Sequence, residues 1–413
     1  MKIVFLQDDF PPYQVGGGGV IAYWLAKEFV RLNHKVTVIT TVQHSSDVGR
    51  ESLDGIDVIR LYSNYHPRLR AYKSLYNPAV VRDVLRLLKE HSPDIVHAHN
   101  VHTHLSYYSL VLARRLGCKV VMTEHDAMSF HFGKLPPATD PTSCKLPSAV
   151  YQESFLKQLR KHRWRYNPLR KRIIRSILHK NVDASIAVSE ALKQALEEND
   201  IRIHAVIHNG INVSEWIYPT NLDSFKKKHG LKNRIIFFGG RISESKGAIQ
   251  IIEALPQICK VCPDVQLLIA GKHNTSVEQM MTLAARLGVD KNIVFVGWLN
   301  GAKLACAYYS SRVVVVPSIY LDPFPTVNLE AFATAKPVVA TCFGGASEVV
   351  EDGVSGYVVN PLDTVELSAK IANLLMDEEK ANRFGVAGHE RVIRDFTLEK
   401  QARAYIKLFT ELG

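Results

Sequence analysis

Asp322 and Glu330 stand eight residues apart in the stretch Pro317-Ser-Ile-Tyr-Leu-Asp-Pro-Phe-Pro-Thr-Val-Asn-Leu-Glu330. An apolar strand from Arg312 to Pro317 runs into a turn-rich loop that carries the first acid, and a helix that starts near Thr326 carries the second. Two carboxylates at the C-terminal end of a buried strand suit a hydroxyl-rich ligand, because each accepts hydrogen bonds from sugar or ribose hydroxyls. The helix start adds unpaired backbone N–H groups and a positive dipole end, which suit a phosphate. About 80 residues upstream, Arg234-Ile-Ile-Phe-Phe-Gly-Gly240 is a strand that ends in two glycines, followed by Arg241 and Lys246-Gly247. Two cations beside a helix start can neutralise a pyrophosphate leaving group without a metal.

These two segments, in this order, resemble the donor-site motifs of retaining glycosyltransferases of family 4, glycosyl transferases group 1, which have the GT-B fold. The family reads Glu, seven residues, Glu in a Pro-Phe-Gly setting; here Asp322 takes the place of the first Glu and Pro325 that of the Gly. The aspartate is one methylene shorter, and Pro325 has no N–H to donate. The resemblance implies that Arg241 and Lys246 hold the donor diphosphate, that Glu330 holds the ribose, and that Asp322 meets the donor sugar. It implies further contacts to the donor from Gly240, Phe324, Thr326, Val327, Trp298 and Leu299, and a histidine, His125 in Thr123-Glu-His-Asp126, that faces the transferred sugar. Gly16, Gly17, Gly18 and Gly19 match the family's glycine loop after the first strand, and are expected to meet a donor phosphate or the acceptor. The other reading of those four is a flexible turn, although four glycines in a row cost folding entropy.

The elements that must position these residues are legible in the apolar runs. Strands are expected at Lys2–Leu6, Lys35–Thr41, Asp57–Tyr62, Asp94–His99, Lys119–Glu124, Ala184–Val188 and His204–His208. A second series follows at Arg234–Phe238, Val265–Ala270, Asn292–Val296, Arg312–Val316, Pro337–Thr341 and Gly356–Val359. Near-continuous apolar strands alternating with helices predict parallel sheets covered on both faces. The expected fold class is α/β, two facing doubly wound Rossmann-like domains with the site in the cleft between them. The boundaries are 1–213 for an acceptor-side domain, 214–395 for a nucleotide-sugar domain, and 396–413 for a final helix that returns to the first.

With 413 residues, 46% of them hydrophobic, the chain can bury two large cores. No apolar run approaches the roughly 20 residues of a membrane helix, and the opening Met1-Lys-Ile-Val-Phe-Leu reads as a strand rather than a signal peptide. Six scattered cysteines predict no disulfide framework and make a reducing cytoplasm the expected compartment; Cys144 and Cys342 carry no message of their own. The formal net charge of +11 asks for an acidic partner.

Much of that charge lies in residues 154–182, with ten Lys or Arg and no acid. Asn167-Pro168 is expected to split this stretch into two helices, the second with an apolar stripe of Leu169, Ile173, Ile174 and Ile177. A basic amphipathic helix reads as an element of an anionic membrane surface, here the inner face of the plasma membrane; a core-packed helix with a solvated basic face reads equally well. Nucleic acid is not expected, since no motif or aromatic platform accompanies the charge. His97 and His99 share one strand face as a metal pair would, and are read either as that or as cleft lining. The loop 127–150, with four prolines, is expected to contribute to acceptor recognition.

The expected activity is transfer of a sugar from a UDP-sugar or GDP-sugar to a hydroxyl acceptor of lipid-linked or envelope saccharide type, with retention, no metal and no cofactor. The alternatives are a sugar-nucleotide epimerase or phosphorylase of the same fold, a metal hydrolase built on His97 and His99, and a basic binding protein without catalysis.

Overall fold

A computed structural model of the chain describes residues 1–13, 17–133, 135–146, 151 and 155–413. Gly16 and Ser154 lie outside the described residues. The chain divides into two compact units, the first made of residues 1–135, 147–209 and 398–413, the second of 136–146 and 210–397.

The first unit holds an eight-stranded sheet. Its strands are β1 Lys2–Leu6, β2 Lys35–Val42, β3 Gly49–Leu53, β4 Ile56–Tyr62, β5 Ile95–Ala98, β6 Lys119–Glu124, β7 Ala184–Ala187 and β8 Ala205–Val206. They lie in the order β3-β4-β2-β1-β5-β6-β7-β8. All pairs are parallel except β3 with β4. β3, which the apolar pattern does not show, is an edge strand with four of its five residues exposed, so its sequence lacks the buried run that marks the others. Both neighbours of β1 pair with it in register, Ile3 opposite Val36 on one side and Ile95 on the other. The chain therefore winds in opposite senses from β1, and the gap between the ends of β1 and β5 is a topological switch point.

The second unit repeats the plan with six strands, all parallel: β9 Ile235–Gly239, β10 Gln266–Ala270, β11 Ile293–Phe295, β12 Val313–Val316, β13 Val338–Thr341 and β14 Gly356–Val359. Their order, β11-β10-β9-β12-β13-β14, puts the switch point between β9 and β12. Val313–Val316 is buried along its whole length, as a central parallel strand with helices on both faces must be. Residues 136–146, which the sequence places with the first domain, fold with this unit instead.

The last helix, Leu398–Leu412, belongs to the first unit. Phe409 lies 5.8 Å edge-on from Phe29 and 5.4 Å from the His97 ring. The Tyr405 hydroxyl meets Thr123 Oγ1 at 2.9 Å, and Thr123 Oγ1 in turn meets His97 Nε2 at 2.8 Å. The terminal helix is thus part of the packing beneath the histidines. Replacing Phe409, which is 1% exposed, by Ala should destabilise the first unit by about 3–5 kcal/mol. Urea unfolding followed by circular dichroism reads this as a lowered midpoint, and an unchanged midpoint would show that the helix is dispensable for the core.

Candidate active site

In the second unit the loops that follow β9 and β12 are laced together. After β9 the chain turns through Gly240, passes the exposed Arg241, and makes a short helical turn over Glu244–Lys246. Gly247 has φ +78°, and a side chain there would run into the carbonyl of Pro317, so only glycine lets the two loops approach. Helix Ala248–Val261 starts directly after it. From the other side, Ile319 N donates to Ser245 O at 3.0 Å. Lys246 Nζ then donates to Asp322 Oδ2 at 2.5 Å, and Ser318 Oγ donates to the same oxygen at 2.8 Å. Burial alone would lower the Lys246 pKa; the charge of Asp322 offsets that and holds the ammonium above its ordinary range.

A third loop, after β13, supports Asp322 from behind. Gly345 N donates to Asp322 O at 2.9 Å, and Thr341 Oγ1 donates to Ser318 O at 2.6 Å. Gly344, with φ +84°, has room for no side chain because the Asp322 backbone occupies its place. Asp322 is therefore fixed at both its backbone and its carboxylate, with 5% of its side chain exposed. The sequence reading assigns it to sugar hydroxyls alone; the structure gives it Lys246 and Ser318 as partners.

Glu330 lies one turn into helix Thr326–Ala333 and is half-buried. Tyr308 donates to its Oε2 at 2.6 Å, and Trp216 and Phe237 pack edge-on against the Tyr308 ring. Burial raises the Glu330 pKa, and the hydrogen bonds from Tyr308 and Thr326 pull it back. A carboxylate has about four acceptor positions, so these bonds orient Glu330 without exhausting it. Thr326 and Val327 are half-buried at the helix start. Phe324 is buried and packs 6.0 Å from Phe396, and Leu299 is buried too, so these two serve the packing of the loops rather than offering an open face. Trp298 is exposed, with Lys272 Nζ 5.7 Å from its ring.

In the first unit, helix Gly17–Arg31 starts just beyond β1, and Gly18 sits against the Asn100 side chain at the end of β5. Asn100 N donates to Gln7 Oε1 at 2.9 Å. Asp8, at the end of β1, receives Thr103 N, His104 N and Leu105 N at 2.7–2.8 Å and so shapes the loop after β5. His125 is half-buried, stacked on His99, with its Nε2 2.8 Å from His99 Nδ1. Burial pushes His125 down to about 4 and His97 to about 3, and drives His99 well below its ordinary range. All three are neutral at pH 7. The His97 and His99 rings lie 4.2 Å apart, and His97 Nε2 meets Thr123 Oγ1 at 2.8 Å. Among the described residues no group of three His, Cys, Asp or Glu is placed to hold a metal ion.

Some participants carry a weak sequence signal or none. Asp8 is an acid at a strand end and could have been found that way; Tyr308, in mid-helix, could not. Asn328 lies inside the acidic motif and is fully buried, with neither amide atom paired. The largest surprise is the bond between Cys144 and Cys342, 198 residues apart. It corrects the expectation that these cysteines carry no message, since only the fold brings their Cα atoms to 5.5 Å.

Comparison with known proteins bears directly on this arrangement. The model of glycosyltransferase family 4 matches residues 15–215, and that of the glycosyl transferases group 1 matches residues 220–391. The chain belongs to the group 1, family 4 glycosyltransferases. It is a glycosyltransferase with two Rossmann-like domains of the GT-B fold. It is 27% identical over 390 residues to an uncharacterized glycosyltransferase of Methanocaldococcus jannaschii, with 91% of this chain and 90% of the relative covered. It is 25% identical to a glycogen synthase of Mycobacterium tuberculosis, with 99% and 94% covered. Among solved structures, sucrose-phosphate synthase from Thermosynechococcus elongatus superposes with a TM-score of 0.78 at 22% identity, covering all of this chain and 98% of that one. Anabaena HepE, solved with UDP-glucose, superposes over both full chains with a TM-score of 0.73 at 19% identity.

Glu124, beside His125, is buried with its carboxylate on Ser129. Burial raises its pKa from 4.5 to about 8, with Ser129 and Arg170 pulling the other way and Asp126 adding to the rise. The folded state therefore keeps a proton that the unfolded state loses, and stability contributed by this group declines as pH rises from 4.5 through about 8. His97 and His125 act oppositely, costing stability as pH falls below 6.5. Glu124→Gln removes only the first slope, so the variant should gain melting temperature relative to the parent as pH is raised from about 5 to about 8. Parallel profiles would refute the buried protonated acid.

Proposed function

We propose that this glycosyltransferase moves a sugar from a nucleotide-diphosphate sugar to a hydroxyl acceptor with retention of anomeric configuration. The observation that carries the reading is the Lys246–Asp322 pair at the β9/β12 switch point, beside the start of helix Ala248–Val261. A charged ammonium and a run of N–H groups at a helix start suit a diphosphate, and neighbouring carboxylates suit the hydroxyls that flank it. The UDP-glucose in the Anabaena HepE structure supports a UDP-sugar as donor, with a GDP-sugar the other base to test.

In this reading Arg241 and Lys246 stabilise the diphosphate as it leaves, and Glu330 holds the ribose. Asp322 orients Lys246 and accepts from donor sugar hydroxyls, while neutral His125 bonds a sugar hydroxyl through an imidazole nitrogen. The bond from the anomeric carbon to the phosphate oxygen breaks as the acceptor oxygen bonds on the same face. The acceptor proton passes to the departing phosphate. No metal enters the scheme, because the two cations supply the charge. Gly18 sits against the Asn100 side chain, beside the β1/β5 switch point.

Calorimetric titration with UDP, GDP and their sugars, with and without EDTA, is the test. One nucleotide should bind saturably and indifferently to EDTA, and Glu330→Ala should abolish that binding. Lys246→Ala should lower kcat by about 10²–10³, the usual cost of one donor to a developing oxyanion, while changing discrimination among donor sugars far less. Absence of binding to every nucleotide would overturn the reading.

The acceptor side is assigned to an anionic membrane surface through residues 154–182. The second helix, Arg170–Asn181, buries Arg170, Ile174 and Leu178, so that of the anticipated stripe only Ile174 is buried. Leu169 and Ile173 are exposed, as are Leu156 and Leu159 on helix Phe155–His162. Exposed cations, Arg160, Arg163, Arg165 and Arg172, stand in the same stretch. Apolar side chains beside cations suit a surface of acidic headgroups. No helix among the described residues is long and apolar enough to cross a membrane. The protein should float with phosphatidylglycerol vesicles and not with phosphatidylcholine vesicles, and the double variant Leu169→Asp, Ile173→Asp should abolish flotation. Equal flotation of parent and variant would remove this assignment.

A further inference from the structure

Residues 136–146 leave the first unit in chain order at Leu135 and fold with the second. Among the described residues, three ties hold them there. Ala138 N donates to Ile319 O at 2.5 Å. The Asn360 side chain, 5% exposed, donates from Nδ2 to Asp140 O at 2.9 Å and to Ser143 O at 3.1 Å. Cys144 is bonded to Cys342. The three anchors are equivalent in the fold: Ile319 follows β12, Cys342 is the residue after β13, and Asn360 is the residue after β14. The segment therefore runs along the C-terminal edge of β12, β13 and β14, the edge on which Asp322 stands.

Its anchors are the same loops that hold Asp322. Ile319, which accepts from Ala138, donates to Ser245 next to Lys246. Cys342 lies between Thr341, which bonds Ser318, and Gly344, which packs on the Asp322 backbone. A covalent bond at Cys342 thus fastens an outside strap to the loop that supports the Lys246–Asp322 pair. Cys144 is exposed and Cys342 half-buried, whereas Cys118, Cys262 and Cys306 are buried. The bonded pair is the one a thiol from solution can reach.

We propose that residues 136–146 are a redox-releasable strap on the donor loop: with Cys144 and Cys342 bonded, the strap holds the loop 317–322, and reduction frees it and weakens donor binding. The donor half rests on the function proposed above. The chemistry is thiol–disulfide exchange with a dithiol. Its thiolate attacks one sulfur, giving a mixed disulfide and releasing the other cysteine as a thiol; its second thiolate then displaces the remaining cysteine. The reductant ends as a disulfide, and two electrons and two protons end on Cys144 and Cys342. Among the described residues, Asn360 and the backbone bond to Ile319 still tie the reduced strap.

The full-length protein is compared oxidised, reduced with dithiothreitol, and as Cys144→Ser, which alters an exposed position. Amide hydrogen exchange by mass spectrometry should speed up severalfold in peptides covering 136–146 and 317–325 on reduction and in Cys144→Ser, while β9 peptides stay unchanged. Asn360→Ala in the oxidised protein should loosen 136–146 while leaving 317–325 close to the parent. The dissociation constant for UDP or GDP, whichever binds, should rise about tenfold on reduction, within the usual range for coupled sites. Equal exchange at 317–325 in the oxidised, reduced and Cys144→Ser proteins would overturn the strap, as would free thiols at both cysteines in the oxidised protein. No nucleotide binding in either redox state would overturn the donor reading, and the exchange measurement then decides the strap by itself.

Discussion

The contact between Lys246 and Asp322 is the constraint around which the second unit is arranged. A carboxylate that is almost fully buried needs either a partner or a proton, and here the partner arrives from a different strand, 76 residues away. Taking two charges out of water is costly, and a buried pair adds little net stability, but removing one member leaves the other stranded at a cost of about 3–5 kcal/mol. Such a pair therefore serves to fix geometry. It demands that the loops after β9 and β12 touch, and this explains the two glycines at which a side chain would be intolerable. Gly247 lets the lysine loop reach Pro317, and Gly344 lets the third loop reach Asp322. The parallel sheet supplies the direction, since every strand end of this unit points its loop to the same edge.

The first unit uses a different physical device at its own switch point. Instead of pairing charges it suppresses them. Three adjoining histidines are held neutral by burial, and Glu124 next to them is held protonated over much of the ordinary pH range. Neutral imidazoles can both donate and accept hydrogen bonds and carry no charge that attracts an anion. The final helix completes this arrangement, because Tyr405 and Thr123 carry a hydrogen-bonded chain from that helix to His97.

Much of the fold is legible along the chain because its signals are local. Thirteen strands announce themselves as short apolar runs, and the glycine ends of β9 and the acidic spacing 322–330 follow from the same kind of reading. β3 escapes it because an exposed edge strand has no apolar run to show. The basic helix 170–181 shows the limit of periodicity from the other side. Its leucine and isoleucine residues suggest one face, yet the face that is buried includes Arg170, whose guanidinium reaches the Met128 carbonyl at 2.6 Å.

The sequence by itself determined the class of fold, the order of the elements and the residue types gathered at strand ends. These depend on side-chain periods of two and 3.6 and on turn formers, which act over a few residues. The tertiary structure decided which of those residues meet. Asp322 takes Lys246 as its partner, Cys144 takes Cys342, Phe324 and Leu299 turn inward, and Glu124 keeps its proton. Each of these outcomes depends on atoms far away in the chain, through packing, desolvation, Coulomb attraction or a covalent bond that no local window of sequence contains.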